Sequence, residues 1–407
     1  MVKTMSKLEQ LIKELCPDGV EWKTLGEVTK YEQPAKYLVN SNNYNNNFKT
    51  PVLTAGKTFV LGYTDETEGV YKALENPAII FDDFTTANKW VDFDFKVKSS
   101  AMKIITSKNE AVLRYIYYCL NTLPNELVGG DHKRQWISNF SNKKIPIPPL
   151  PVQLEIVRIL DNFTELTAEL TAELTAELTA RKKQYEYYRN KLLSKKYLES
   201  INDDLRYTTL GEVGVFTNGS GLPKTMFNDS GEIGAIHYGH IYTKYNQNVY
   251  KPIVNVSLKD SEKLKKVRKG NLVIAKTSEN TEDIMKSIVY LGNDEVVAGG
   301  HSAIYVHSEN PKYIAYLING SREVIRQKNK LARGVKVKEI SSKDMQKIKI
   351  VIPPLSVQEK IVAILDKFDT LVNDILQGLP AEIELRTKQY EYYRNKLLSF
   401  HKIEVEV

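Results

Sequence analysis

The chain contains itself twice. Ile147-Pro148-Pro149-Leu150 returns as Ile352-Pro353-Pro354-Leu355, and the match runs without insertion through Val152-Gln153 and Val357-Gln358, then Ile159-Leu160-Asp161 and Ile364-Leu365-Asp366. It ends in KQYEYYRNKLLS, identical at residues 183–194 and 388–399, at a constant offset of 205. Upstream, Thr24-Leu25-Gly26-Glu27-Val28 recurs as Thr209-Leu210-Gly211-Glu212-Val213 at an offset of 185. A chain of 407 residues has room for two or three domains with real cores. The repeat decides how that room is used: one unit is written twice, opening with TLGEV, passing through a variable region and closing on a nearly constant segment.

The constant segments have a helical period. From residue 152 to about 196 there is no Gly or Pro, and Ile156, Ile159, Leu160, Phe163, Leu166, Leu170, Leu174 and Leu178 recur at three- and four-residue steps. Prolines 148, 149 and 151 mark where the preceding strand or loop ends. Some 45 residues of helix would reach about 65 to 70 Å, longer than a small domain needs for its own core. An amphipathic helix of that length buries its stripe against another, and the equally long partner in this chain is its own copy. Within the first helix lies the array Thr-Ala-Glu-Leu, whose leucines drift by about 40° per repeat. In the copy those positions hold Leu371, Ile375, Leu379 and Ile383, but Gly378 and Pro380 fall mid-helix, which predicts a bend or break near residues 377–380.

The variable regions, residues 29–144 and 214–349, read as mixed domains of one fold with different surfaces. The runs Pro77-Ala78-Ile79-Ile80-Phe81 and Asn271-Leu272-Val273-Ile274-Ala275 predict buried strands, and residues 113–120 and 313–318 predict one helix each. The expected architecture is α+β: two mixed α/β domains separated by two long antiparallel coiled-coil helices, with a pseudo-two-fold internal repeat. Its boundaries fall at 1–147, 148–200, 201–352 and 353–407. Loops that vary over a shared core predict two different ligands.

Composition adds exclusions. Cys16 and Cys119 offer neither a C-x-x-C pair nor a zinc ligand set and suit a reducing compartment. No stretch approaches 18 uninterrupted apolar residues, so the expected location is cytoplasmic, with no membrane partner. A net charge of +7 permits a polyanionic partner without requiring one, and 24 Tyr against 12 Phe suits interfaces with one wet side.

The TLGEV openings, the IPPL-x-VQ junctions, the KQYEYYRNKLLS helix ends and the TAEL array resemble the DNA-specificity subunit of type I restriction-modification systems. The likeness is nearest to the type IC group with tetrapeptide repeats and covers essentially the whole chain. PVLTAGKTF and FDDFTTANKWVDF resemble target-recognition domains of that group. The resemblance implies a non-catalytic subunit whose two target-recognition domains read the halves of a bipartite site in double-stranded DNA. Two methylation subunits would dock on its helical regions, and restriction subunits would join the full complex. No cofactor is implied in this chain; S-adenosylmethionine, ATP and Mg would belong to the partner subunits.

Geometry reaches part of this independently. Antiparallel rods relate the two units by a pseudo-two-fold axis, which matches the local dyad of B-DNA, so half-site spacing would follow rod length. Different domains predict different half-sites, and copied constant segments predict two identical partners. Leu166, Leu170, Leu174 and Leu178 then belong to a spacer.

Base edges require forked or bidentate donors and acceptors. In the first domain that requirement selects Thr85, Thr86, Asn88 and Lys89, then His132, Lys133, Arg134 and Gln135, with Lys57 in a Gly-bearing loop as a phosphate contact. In the second it selects His237, Tyr238 and His240, then Lys276, Thr277 and Ser278, His301, and the basic stretch with Arg333, Lys336 and Lys338. Solvated loops are the plain alternative for any single residue; the clusters carry the reading.

Enzymatic motifs fit poorly. Ala55-Gly56-Lys57-Thr58 has Pro51 where a phosphate loop needs its first glycine. Pro17-Asp18 and Glu21-Trp22-Lys23 lie too close to place two nuclease carboxylates on separate strands, and Phe216-Thr217-Asn218-Gly219-Ser220-Gly221 is one residue off the F-x-G-x-G of methyl-donor sites. A self-sufficient DNA methyltransferase or nuclease is the competing reading, and S-adenosylmethionine binding by the isolated chain would support it.

Overall fold

The computed structural model describes residues 5–55, 58–108, 111–127, 133–373 and 378–403. The chain folds as two compact units, Met1–Leu170 with Leu385–Val407, and Thr171–Glu384.

The repeated TLGEV has a local explanation in both units. Thr24 and Thr209 each cap a single helical turn, Leu25–Val28 and Leu210–Val213, and Glu27 and Glu212 reach back to the cap backbone as a capping box. Each cap also ends a strand of a two-stranded antiparallel ribbon, Glu21–Thr24 with Lys144–Ile147 and Arg206–Thr209 with Lys349–Ile352.

In the first unit a four-stranded antiparallel sheet runs in the order Thr29–Glu32, Met102–Ser107, Ala78–Asp82, Asn88–Val91. Ala78–Asp82 is buried throughout, as its apolar run predicts. One face packs Ile79, Phe81 and Ile105 against the Leu113–Leu120 helix and against Val152, Ile156 and Leu160 of the central helix. The other face joins a three-stranded sheet through Ile80, Ile104, Phe95 and Val97. The C-terminal segment closes this unit: Val20 N–H donates to His401 at 2.9 Å, and Ile403 N–H donates to Val20 at 3.2 Å. Gly19 has φ +105°, and a Cβ there would lie 2.6 Å from the His401 oxygen, so glycine is required.

In the second unit a five-stranded sheet has Leu272–Ala275 at its centre, flanked by Ser302–His307 and Ser287–Tyr290. The expected single helix is present as Pro311–Gly320, and Arg322–Leu331 follows it directly. A second sheet of four strands completes the unit around Ile233–Ile236 and Val296–Ala298.

The central helix is Leu150–Leu192, 43 residues without interruption and about 65 Å long. It stops short of residue 196 because Ser194 caps a new helix, Lys195–Ile201. The copy is two helices, Leu355–Asn373 and Leu379–Leu397. Pro380 sits in the first turn of the latter, where it forfeits no hydrogen bond, and Gly378 accepts from Ala381 N–H at 3.0 Å. Residues 374–377 lie outside the described residues. In the first unit Phe163 meets Tyr390 and Tyr393. In the second Tyr185 and Tyr188 stack on Phe368. The apolar stripe is less buried along the array than its period suggests: Leu166 is 52% exposed, and Leu170, Leu174 and Leu178 are half-buried.

The repeated Gln and Asp of the junction attach each variable domain to its helix. Gln153 accepts from Val112 N–H at 3.0 Å and donates to Pro148 at 2.8 Å. Gln358 accepts from Asn310 N–H at 3.1 Å and donates to Pro353 at 2.8 Å. Asp161 accepts from Arg114 at 2.7 Å and Tyr118 at 2.5 Å. Asp366 does the same for Lys312 at 2.6 Å and Tyr316 at 2.8 Å.

Candidate nucleic-acid interface

In the first unit the two described candidate clusters, some 45 residues apart in sequence, meet at Asp82 and Asp83. The Ala78–Asp82 strand ends in a tight turn in which Asp82 accepts from Phe84 N–H at 2.9 Å and from the Thr85 hydroxyl at 2.6 Å. Asp83 then accepts Gln135 N–H at 2.8 Å on its backbone oxygen and Trp136 N–H at 2.9 Å on Oδ1. Thr85, Lys89, Lys133 and Arg134 are exposed, and Asn88 is half-buried. Thr86 and Gln135 are buried and shape the surface rather than present a side chain. The Gln135 amide is engaged by the Lys133 carbonyl at 2.9 Å and by Asn139 at 3.2 Å. Lys57 and His132 lie outside the described residues.

In the second unit four separate candidate segments converge. Lys276 N–H donates to His301 at 2.8 Å, and Lys276 accepts from Ile340 N–H at 3.0 Å. Thr277 and Ser278 pair with Glu339 and Lys338 as a short antiparallel ladder. Arg333 and Glu339 exchange backbone hydrogen bonds at 2.9 and 2.8 Å, closing a hairpin whose tip exposes Val335 and Lys336. Gly334 turns that tip at φ +102°. Tyr238 packs on His301 with ring centroids 5.1 Å apart, and His237 caps the Tyr238–Thr243 helix by accepting Gly239 N–H at 3.1 Å. Thr277 and Ser278 are buried, whereas His301, Arg333 and Lys336 are exposed.

The two convergences are built alike. In each unit the residue just past the buried strand donates to the residue ahead of the neighbouring strand in the sheet (Asp83 N–H to Ala101, 3.1 Å; Lys276 N–H to His301) and accepts from Gln135 or Ile340, positions that the 205-residue offset makes equivalent. Strain gathers at the same places. Among the described residues three non-glycine residues have positive φ: Thr86 at 62°, His301 at 58° and Met285 at 62°. Each such conformation costs on the order of 1–3 kcal/mol and persists where surroundings enforce it, typically at functional sites. Met285 lies in a loop held from beneath by Lys328, whose buried ammonium donates to Glu282 and Ile284 carbonyls at 2.9 and 2.7 Å. Burial draws the pKa of that lysine down to about 8.

Sequence reading missed Phe227, whose ring lies 5.5 Å from His237 and 5.9 Å from His240. Together with Tyr245 these rings form an aromatic and imidazole surface, and no spacing rule links residue 227 to it. The Phe216–Gly221 stretch is a backbone crossing. Ser220 bridges to Gly299, and a Cβ on Gly219 would lie 1.9 Å from the Gly299 oxygen, so its glycines serve close approach beside His301. No group of three or more His, Cys, Asp or Glu suited to a metal occurs among the described residues.

Burial, and then neighbouring cations, hold the His237 and His240 imidazoles below their ordinary pKa, with Lys224 acting on both. The shift favours the neutral form of both rings near pH 7.

The type I restriction modification DNA specificity domain matches the chain twice, over residues 17–180 and 202–385. The chain is 48% identical over 422 residues to the type I restriction enzyme EcoR124I/EcoR124II specificity subunit of Escherichia coli, covering 98% of this chain and 99% of that protein. Among solved structures, a chain from a study of type I R-M complex assembly and conformational transition superposes with TM-score 0.63 at 18% identity, over 94% of this chain and 98% of that one. The S subunit of the Mycoplasma genitalium type I system gives 0.50 at 16%, over 93% and 96%. These two likenesses speak to the fold alone. With the internal repeat and a family domain matched in each half, the chain belongs to the type I restriction-modification DNA-specificity family, as a non-catalytic recognition subunit with two target-recognition domains.

Proposed function

We propose that each target-recognition domain, residues 1–147 and 201–352, reads one half of an asymmetric bipartite site in double-stranded DNA through the junction past its central strand. The observation that carries this reading is the matched convergence of exposed Lys, Arg, Thr and His side chains at equivalent places in two otherwise different domains. Lys133, Arg134, Arg333 and Lys336 supply forked or point donors for bases and phosphates, and Lys57 and His132 extend the same candidate set. The helical regions, 148–200 and 353–407, carry the spacing and dock two methylation subunits, since identical segments at 183–194 and 388–399 offer the same surface twice. S-adenosylmethionine enters with those subunits, ATP and Mg with restriction subunits, and the complex works in the cytoplasm. No described helix is long and apolar enough to cross a membrane.

The test is a map of methylated adenines in cells carrying this chain with its methylation subunits. Arg333→Ala with Lys336→Ala is expected to relax one half of the motif and leave the other strict, at about 1–3 kcal/mol per lost base contact. Relaxation of both halves together, or of neither, would refute the assignment. S-adenosylmethionine binding by the isolated chain would instead favour a self-sufficient enzyme.

A pH dependence follows from His237 and His240. Facing phosphate, their protonated forms are stabilised relative to the free protein, so the bound-state pKa lies above the depressed free value. DNA affinity is then expected to rise as pH falls from about 7.5 to about 5.5. His237→Gln with His240→Gln should flatten that rise in a fluorescence-anisotropy titration of the complex; an unchanged slope would place both rings away from DNA.

A further inference from the structure

We propose that Asp83 is a positioning residue for the first half-site, fixing the angle between two reading segments while touching no base itself. The inference rests on the reading of the junctions as DNA-facing surfaces. Asp83 has no exposed surface, and its polar groups face three places in the chain: Ala101, the Gln135-Trp136 pair and Lys103. Its N–H donates to Ala101 at 3.1 Å, ahead of the Met102–Ser107 strand. Its carbonyl and Oδ1 accept from Gln135 and Trp136 N–H at 2.8 and 2.9 Å, where the Lys133-Arg134 segment turns into helix. Its Oδ2 lies 3.2 Å from the Lys103 ammonium, which is equally buried. Asp83 itself begins the turn that carries Thr85 and leads into the Asn88–Val91 strand with Lys89.

The second domain reproduces the backbone half of this device, with Lys276 N–H on His301 and Ile340 N–H on Lys276. It has lysine where the first domain has the buried carboxylate. The shared fold therefore needs the backbone bonds and not the ion pair. A fully buried ion pair is roughly break-even in stability against apolar side chains of like volume, because desolvating two charges offsets their attraction. What Asp83 and Lys103 add is geometry: the carboxylate accepts a backbone N–H in one direction only and is held there by the ammonium. Lys103 is in turn fixed over the Tyr31 ring, 5.2 Å from its centroid.

The experiment uses the full chain with its methylation subunits and compares three variants by methylated-motif mapping and thermal melting. Asp83→Asn keeps the volume and an acceptor for Trp136 but unpairs Lys103. Asp83→Leu with Lys103→Met removes both charges at once and retains a packed core. Both are expected to methylate sites with a mismatched first half on the order of tenfold more often, at unchanged second-half stringency. The Leu/Met variant also takes the acceptor from Trp136 N–H, so it should stay folded but melt somewhat below the parent. Lys133→Ala with Arg134→Ala separates the two levels of argument. If it relaxes the first half and neither folded Asp83 variant does, the positioning role is wrong and the reading stands. If it leaves the first half strict, the reading itself fails. Equal relaxation of both halves by the Asp83 variants would mark a general structural defect and overturn the proposal.

Discussion

Gln358→Leu is expected to lower the stability of the second unit by about 3 kcal/mol or more, among the largest losses available to one substitution outside the sheets. The side chain is wholly buried. It accepts from Asn310 N–H at 3.1 Å and donates to the Pro353 carbonyl at 2.8 Å and to Glu309 at 2.7 Å. Leucine fills the volume but leaves the N–H and the carbonyl without partners, at about 1–3 kcal/mol each. The Asn310 N–H lies immediately before the Pro311–Gly320 helix, whose Tyr313, Ile314 and Leu317 enter the core shared with Ile361, Val362 and Leu365. The defect is therefore placed where the recognition domain is fixed to its helix. Gln153→Leu should act likewise in the first unit, with two bonds lost instead of three. Melting of the complex and of each variant checks this; a shift of a degree or less would mean that water replaces the lost partners.

The junction shows how much the letters carried. Gln153, Gln358, Asp161 and Asp366 stand out in the sequence because they recur at the 205-residue offset, and the structure gives each pair one job in both units. TLGEV was equally readable, since S/T-x-x-E is a capping box wherever a short helix begins. Pro380 and Gly378 announced the division of the second helix because neither residue is tolerated in a helix interior at low cost. Surfaces were harder. Lys276, His301 and Ile340 span 64 residues of sequence and are joined by backbone hydrogen bonds, which no side-chain pattern encodes. Asp83 reads in sequence as an ordinary loop carboxylate, since aspartate is seldom fully buried unless paired, and Lys103 sits in an apolar strand with nothing to mark it as the partner. The leucine stripe of the array promised burial along its whole length. Its period of four walks the stripe around the helix, so no single partner face can cover every leucine, and Leu166 is left largely in solvent.

Deleting residues 171–174, one TAEL, is expected to shorten the gap between the two half-sites by one or two base pairs while leaving both half-site sequences unchanged. One repeat is about 6 Å of helix, and base pairs stack at about 3.4 Å. The array tolerates the change because it makes few specific demands. Thr175 and Thr179 satisfy their hydroxyls on the carbonyls of Thr171 and Thr175, at 2.7 and 2.9 Å, and the leucines are at best half-buried. After the deletion every remaining repeat has the same neighbours as before, turned by about 40°. The difficulty lies in the pairing. From Phe163 to Tyr185 is 22 residues on the central helix, and from Phe368 to Tyr390 is 22 in its copy. Four residues removed from one side leave a mismatch of about 6 Å, which the aromatic contacts resist. Among the described residues the partner is two helices, Leu355–Asn373 and Leu379–Leu397, and a compensating deletion would fall between them. Shortening the partner there as well should then restore stability lost by the deletion without moving the gap back. Methylated-adenine mapping reads the gap, and melting reads the strain. A motif of parental gap length from a folded deletion variant would show that the helices do not set the spacing.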